Sequence, residues 1–243
     1  MMLNKLLKLA KKQQRKYCSA VIVAAGQSSR MKGEDKILSL LQGKPVIARS
    51  IEAFEACNKV DEIVVVTRQD LLEHVRTLCR ENGYEKVKAV VEGGTTRVES
   101  VMKGLDHVSE KTGLAAIHDG ARPLVSNSVI EAAIEKAWNC HAAAPAIPVK
   151  DTIKLAENHM VLHTPDRKSL FAVQTPQIFD FDLLRGALQN ALDHDLPITD
   201  DCSAVEALGM RVFLTQGCEE NIKITTPMDL VMANAILERR QAQ

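Results

Sequence analysis

The chain has 243 residues, 31 basic against 31 acidic side chains, and 46% hydrophobic residues. That length suits one α/β domain with at most a modest insertion, and a formal charge of zero argues against a polynucleotide partner, which a basic surplus would advertise. No run of 18 apolar residues occurs, so no membrane-spanning helix is expected. The six cysteines form no C-x-x-C pair and no zinc spacing, and read as reduced, mostly buried thiols of a cytoplasmic protein.

Residues 1–17 form a basic extension. Lys5, Lys8, Lys11, Lys12, Arg15 and Lys16 stand there without an acid, and Leu3, Leu6, Leu7 and Ala10 recur at helical spacing. The reading is a solvated extension rather than a membrane-surface or partner helix. An apolar run, Ala20 to Ala24, then stops at Ala25-Gly26, and Arg30, Lys32 and Lys36 follow small polar residues. A buried strand ending in a small-residue loop lets backbone N–H groups approach an anion, and cations just beyond can neutralise it. The loop is neither G-x-x-x-x-G-K-[ST] nor G-x-G-x-x-G, which disfavours a P-loop hydrolase and a nicotinamide dehydrogenase.

Downstream, residues 44–57 are predicted helical with Pro45 in the first turn, 62–67 a buried strand, 70–80 a helix, 87–91 a strand and 95–108 a helix opened by G-G-T-T-R. Residues 114–118 are a strand ending at Asp119, and 126–139 a helix capped by Ser126. This order predicts an α/β fold, a mainly parallel twisted sheet with helices on both faces. From 142 to 173 the pattern breaks into short extended pieces with a turn at Glu157-Asn158, read as a hairpin-like arm leaving the sheet whose apolar faces a second subunit could cover. Helices resume at 181–192 and 201–208, and a strand at 210–215 leads to N-I-K-I-T-T-P and a last helix at 227–240.

Asp119, at a strand end in I-H-D-G-A-R-P, is a metal candidate, because magnesium is held by one or two carboxylates with phosphate oxygens and water. The clusters K-D-T-I-K, T-P-D-R, Q-T-P-Q, I-T-D-D and E-E-N-I-K-I-T-T-P are each weak alone. Together with A-A-G-x-x-x-R-M and G-K-P-V, from about residue 19 to 237, the chain resembles the 2-C-methyl-D-erythritol 4-phosphate cytidylyltransferase family. Ser28 stands where the family often has glycine.

The resemblance implies a nucleotide-diphospho-sugar transferase-like fold, with residues 18–240 as one domain carrying a dimerising β-arm at about 146–172. It implies transfer of a cytidylyl group from CTP to 2-C-methyl-D-erythritol 4-phosphate with release of pyrophosphate, a divalent metal (Mg2+ expected) and a homodimer. On the matching positions, Arg30 and Lys36 correspond to transition-state-stabilising cations, and Arg167 and Lys223 to the pair positioning the sugar phosphate. Thr152 corresponds to a sugar-phosphate contact on the arm, and Ala24, Ala25, Gly26, Gly94 and Ser100 to nucleotide contacts. Asp119 corresponds to the metal-proximal, substrate-binding acid, with a second acid at Glu220. Arg167 is expected to be within reach of the other subunit's site. The sister ribitol-5-phosphate cytidylyltransferases differ in reading G-G-x-G and H-D-A-V-R in the first two clusters, and a non-catalytic scaffold would not need the four cations and Asp119.

Overall fold

The first strand is apolar on both faces because both faces are covered. A computed structural model of the chain describes residues 15–26 and 35–242. In it β1 (Tyr17–Ala24) sits mid-sheet, parallel to β4 (Glu62–Thr67) on one side and β6 (Thr112–Asp119) on the other. β5 (Val87–Glu92) extends the sheet beyond β4. On the far side of β6, β11 (Gln177–Asp180) pairs antiparallel with both β6 and β7 (Ala142–Pro148), and β12 (Phe213–Gln216) runs parallel to β7. β10 (Phe171–Val173) pairs antiparallel with the end of β7, completing eight strands.

Side-chain alternation sorts the core into two layers. Ala20, Ile22 and Ala24 of β1 and Leu114 and Ala116 of β6 pack under α1 (Val46–Glu55), α2 (Leu72–Glu81) and α4 (Asn127–Cys140). Val21, Ala115 and Ile117 face α3 (Arg97–Leu105), α5 (Phe181–Asp193) and α6 (Asp201–Ala207). A period of two on a strand buried on both sides gives this pattern. A third cluster, with Leu41, Val46, Leu124 and Ile224, is closed by Ala233 and Leu237 of α7 (Pro227–Gln241). The mainly parallel sheet with helices on both faces is as expected, and Ser126 caps α4 by accepting the Val129 N–H.

Four details depart from the sequence expectation. The residues at 15–17 do not trail away: the Arg15 guanidinium pairs with Asp61, Lys16 Nζ donates to Asp180 at 2.6 Å, and Tyr17 already belongs to β1. The rest of the predicted extension, residues 1–14, lies outside the described residues. Lys44 and Pro45 are not helical: as β3 (Lys44–Pro45) they pair with β2 (Leu40–Leu41), and Pro45 is the residue before α1. The arm is shorter than predicted at its base. β7 and β10 stay in the main sheet, and only β8 (Leu155–Glu157) and β9 (Met160–His163) form a separate hairpin. The run of small residues explains this, since Ala142, Ala143 and Ala144 are fully buried where a bulkier strand would not fit. Finally, the Q-I-F-D stretch after Pro176 is β11, a strand too short to announce itself.

Gly104 sets the distance between α3 and the sheet. A Cβ there would stand 2.4 Å from Val21 Cγ1 and 2.8 Å from Val66 Cγ2, two β-branched side chains fixed in the core. Gly104→Ala is expected to destabilise the fold by about 1–3 kcal/mol through overpacking, despite the better helix propensity of alanine, worth about 1 kcal/mol. Denaturant unfolding checks this, and a midpoint at or above that of the parent protein refutes it.

Candidate active site

The chain runs outward from β1 to β4 and β5, then returns to β6 on the other side of β1. Such a reversal opens a crevice at the carboxyl ends of the strands. A cavity of about 530 Å³ lies there, lined by Ala24, Ala25 and Gly26 at the end of β1, Thr67 and Arg68 at the end of β4, Glu92 to Gly94 at the end of β5, and Asp119 of β6. The first turn of α3, Lys36 and Lys223 complete the lining.

Small residues make this end of the sheet fit together. A Cβ on Gly93 would lie 2.4 Å from Ala25 Cβ and 2.9 Å from Ser100 Oγ. One on Gly120 would come within 3.0 Å of Ala24 Cβ. The loop after β5 is held by side chains of α3. Gly94 N–H donates to Ser100 Oγ at 3.0 Å, and the Ser100 hydroxyl donates to Thr96 O at 2.9 Å. Glu99 Oε2 accepts from Thr95 N–H at 2.6 Å and Thr96 N–H at 3.1 Å, while Thr96 Oγ1 accepts from Glu99 N–H. This is a capping box. Hydrogen bonds from the Thr95 hydroxyl and these N–H groups hold the Glu99 carboxyl below its usual range.

Asp119 is the electrostatic centre. Lys223 Nζ stands 2.7 Å from its Oδ2, with the Arg97 guanidinium 3.6 Å from Oδ1 and the Arg122 guanidinium 3.7 Å from Oδ2. Burial alone would raise this carboxyl, but the three cations, Lys223 foremost, pull it well below the ordinary carboxylate range. Arg97 also donates to Asp201 Oδ1 at 2.7 Å. Asp201 is fully buried, and its Oδ2 has no hydrogen-bond partner. Desolvation dominates there and holds the Asp201 carboxyl above its usual range despite Arg97.

The backbone of Asp119 is fixed from behind. Its N–H donates to Thr175 Oγ1 at 3.1 Å, and Thr175 Oγ1 lies 3.0 Å from His118 Nδ1. His118 Nε2 lies 3.1 Å from the Arg122 carbonyl, which can only accept. The proton therefore sits on Nε2, and the Thr175 hydroxyl donates to Nδ1. Burial pushes this imidazole down to about 4, so it is neutral near pH 7 and acts as a strut. Lys223 is fixed by its neighbours. Asn221 is fully buried and donates to Thr175 O at 2.9 Å, while Ile224 N–H donates to Ala121 O at 2.8 Å.

The structure thus brings together eight of the sequence-predicted positions around one cavity: Ala24, Ala25, Gly26, Lys36, Gly94, Ser100, Asp119 and Lys223. Arg30 lies outside the described residues. Arg167 and Thr152 are exposed on the arm and do not line this cavity; Arg167 donates to Lys150 O at 2.9 Å. Glu220 is a correction. Its carboxylate is paired with the guanidiniums of Arg239 and Arg240 on α7 and does not line the cavity, so it does not fit a metal ligand of this site. Among the described residues no group of three or more His, Cys, Asp or Glu side chains is placed to hold a metal. Asp119, an ionised carboxylate facing the cavity, fits a hard cation that takes its remaining oxygens from phosphate and water.

Arg97 and Asp201 were not singled out from the sequence, although both stand in motifs that were, G-G-T-T-R and I-T-D-D. The signal for Arg97 was an arginine in the first turn of a helix entered from a strand's carboxyl end. Asp201 announces itself only once α6 packs behind that helix.

The family model described as 2-C-methyl-D-erythritol 4-phosphate cytidylyltransferase matches residues 18–239. A protein of that name from Desulforamulus reducens is 47% identical over 228 residues, covering 91% of this chain and 96% of the relative. Another from Caldanaerobacter subterraneus subsp. tengcongensis is 45% identical over 228 residues, covering 91% of this chain and 99% of the relative. Among solved structures, the 4-diphosphocytidyl-2C-methyl-D-erythritol synthase of Anaerococcus prevotii superposes with a TM-score of 0.84 at 30% identity, covering 94% of this chain and 99% of that one. The 2-C-methyl-D-erythritol 4-phosphate cytidylyltransferase of Thermus thermophilus gives 0.71 at 32% identity, covering 90% and 98%. With the match running from the second residue of β1 almost to the end of α7, the chain belongs to the 2-C-methyl-D-erythritol 4-phosphate cytidylyltransferase family.

Proposed function

We propose that the cavity joins 2-C-methyl-D-erythritol 4-phosphate to the α-phosphate of CTP and expels pyrophosphate, forming 4-diphosphocytidyl-2-C-methyl-D-erythritol, a step of isoprenoid precursor synthesis. The observation that carries this reading is the convergence of Lys36, Lys223, Arg97 and Asp119, from four separate parts of the chain, on one cavity at the strand ends.

The attacking group is a phosphate monoester oxygen. With a second pKa of about 6 it is already largely dianionic at neutral pH, so no strong general base is required. No histidine or cysteine lines the cavity among the described residues. The obstacle is repulsion between anions: two unit charges at 4 Å cost about 4 kcal/mol at an effective dielectric near 20. Fixed cations offset this repulsion and aim the in-line attack. Lys36, with Arg30, takes the triphosphate and the charge that develops on it. Lys223, with Arg167, takes the attacking phosphate. Asp119 would hold the divalent metal, Mg2+ by its all-oxygen preference, whose charge neutralises phosphate oxygens when it is bound.

Arg167 and Thr152, exposed on the arm and outside the lining of this cavity, would serve the cavity of a second copy. The arm offers apolar surface for such a copy: Met160 is 69% exposed, Leu162 55% and Val161 54%, and the edge residues Phe171 and Val173 are exposed as well. This apolar surface supports a homodimer joined through the arm, with Arg167 and Thr152 acting in the partner's cavity. The cytoplasm suits the six free thiols, and no helix among the described residues is long and apolar enough to cross a membrane.

Pyrophosphate release from CTP, Mg2+ and the sugar phosphate tests the reaction directly. Lys36→Ala is expected to lower kcat by about 100-fold or more while changing the KM for CTP far less, because its partner charge grows in the transition state. Normal turnover with only a raised KM contradicts that role. Arg167→Ala is expected to raise the KM for the sugar phosphate. Mixing Arg167→Ala with Lys36→Ala subunits is expected to restore activity, since one site of each mixed dimer then holds both native cations. A mixture no more active than its components refutes action across the dimer.

A further inference from the structure

Lys36 stands between two anchored chain neighbours. Ile37 is 1% exposed, packed in the core, and its carbonyl accepts from Ile47 N–H at 3.0 Å in the first turn of α1. Asp35 closes the turn on the other side. Its Oδ1 accepts from Ile37 N–H at 3.0 Å, and its carbonyl accepts from Leu38 N–H at 3.0 Å and Ser39 N–H at 2.9 Å. Its other carboxylate oxygen, Oδ2, accepts from the Arg68 guanidinium. Arg68 is the residue directly after β4. It is braced in turn by Asp70, through Nε to Oδ1 and a terminal guanidinium nitrogen to Oδ2, both at 3.1 Å. The Arg68 and Asp35 side chains are only 23% and 20% exposed, so their pairing is screened less than a surface ion pair.

We propose that Arg68 is a positioning residue for the transfer reaction: by clamping Asp35 to the end of β4 it fixes where the Lys36 ammonium stands over the cavity. The inference rests on the role given above to Lys36. Its physical basis is that this ion pair ties the turn bearing Lys36 to the sheet, while Ile37 anchors the same turn to α1. Cutting the clamp loosens the turn on its sheet side. A catalytic charge displaced by about 1 Å can cost up to about 100-fold in rate. Arg68 also lines the cavity, so direct contact with the nucleotide is the competing role the test must exclude.

The experiment is steady-state pyrophosphate release by the full chain, with thermal unfolding of every variant. Asp35→Ala and Arg68→Ala are each expected to lower kcat about tenfold with the KM for CTP within about twofold of the parent. The Asp35→Asn/Arg68→Ala double variant is expected to be no worse than the weaker of those two singles, since both remove the same ion pair. Arg68→Lys, which keeps the charge but not the fork, is expected to recover part of kcat. Asp35→Asn removes the ion pair while keeping the side-chain acceptor of the turn, and carries the test where an alanine variant does not fold. Losses that multiply in the double variant overturn the clamp. So does a KM for CTP raised by Arg68→Ala but not by Asp35→Asn, which makes Arg68 a direct ligand contact. Lys36→Ala in the same series separates the two ideas. A large kcat loss there with parental kcat in Asp35→Asn and Arg68→Ala refutes the clamp alone, whereas parental kcat in Lys36→Ala removes the role of Lys36 and the clamp with it.

Discussion

A carboxylate kept ionised in a mostly buried place is the constraint around which the site is built. Asp119 could not remain charged there unaided, since an unpaired buried charge costs several kcal/mol. Lys223, Arg97 and Arg122 supply the compensation, and Arg97 in turn pairs with Asp201. The chain of charges ties β6, the first turn of α3, the start of α6 and the segment before α7 to one another. None of these contacts is close in sequence except that of Arg122. The network therefore reports tertiary structure: it exists only when the sheet, the helices and the segment at residues 221–224 are all in place.

Around this centre the described backbone is held by side-chain hydrogen bonds. The loop after β5 has its N–H groups occupied by Ser100 and Glu99, and the chain at Asp119 is pinned through Thr175 and neutral His118. Pre-organised dipoles and charges need not reorient during the reaction, which is how an electrostatic site lowers a barrier. The alanines and glycines at the strand ends serve the same purpose sterically, because a β-carbon at Gly93 or Gly120 would force the converging loops apart.

Much of this was legible in the residues. The unbroken apolar runs at 20–24 and 63–66 announced strands buried on both faces, and Asp119 stood out as an acid at the end of a buried strand. The cations at 36 and 223 were recognisable through motif order rather than through any local property. What stayed hidden depends on packing at a distance. β11 is four residues long and acquires its strand character from the neighbours it pairs with. Glu220 looked like a metal acid until α7 brought Arg239 and Arg240 against it. Arg97 and Asp201 are 104 positions apart, and no periodicity links them. Arg68 reads as a surface residue following a strand, and its tie to Asp35 emerges only when two loops are laid side by side.

The position of Lys223 has a consequence for how the domain comes into being. The four parallel strands β1, β4, β5 and β6 are complete by residue 119, and on a ribosome, where domains gather from the amino end, they can associate early. The ammonium that balances Asp119 is translated only near the end of the chain. Until then that acid has only Arg97 and Arg122 to balance it, and the crevice lacks one of its cations. A polyanion entering the crevice therefore meets the full set of cations only in the finished domain.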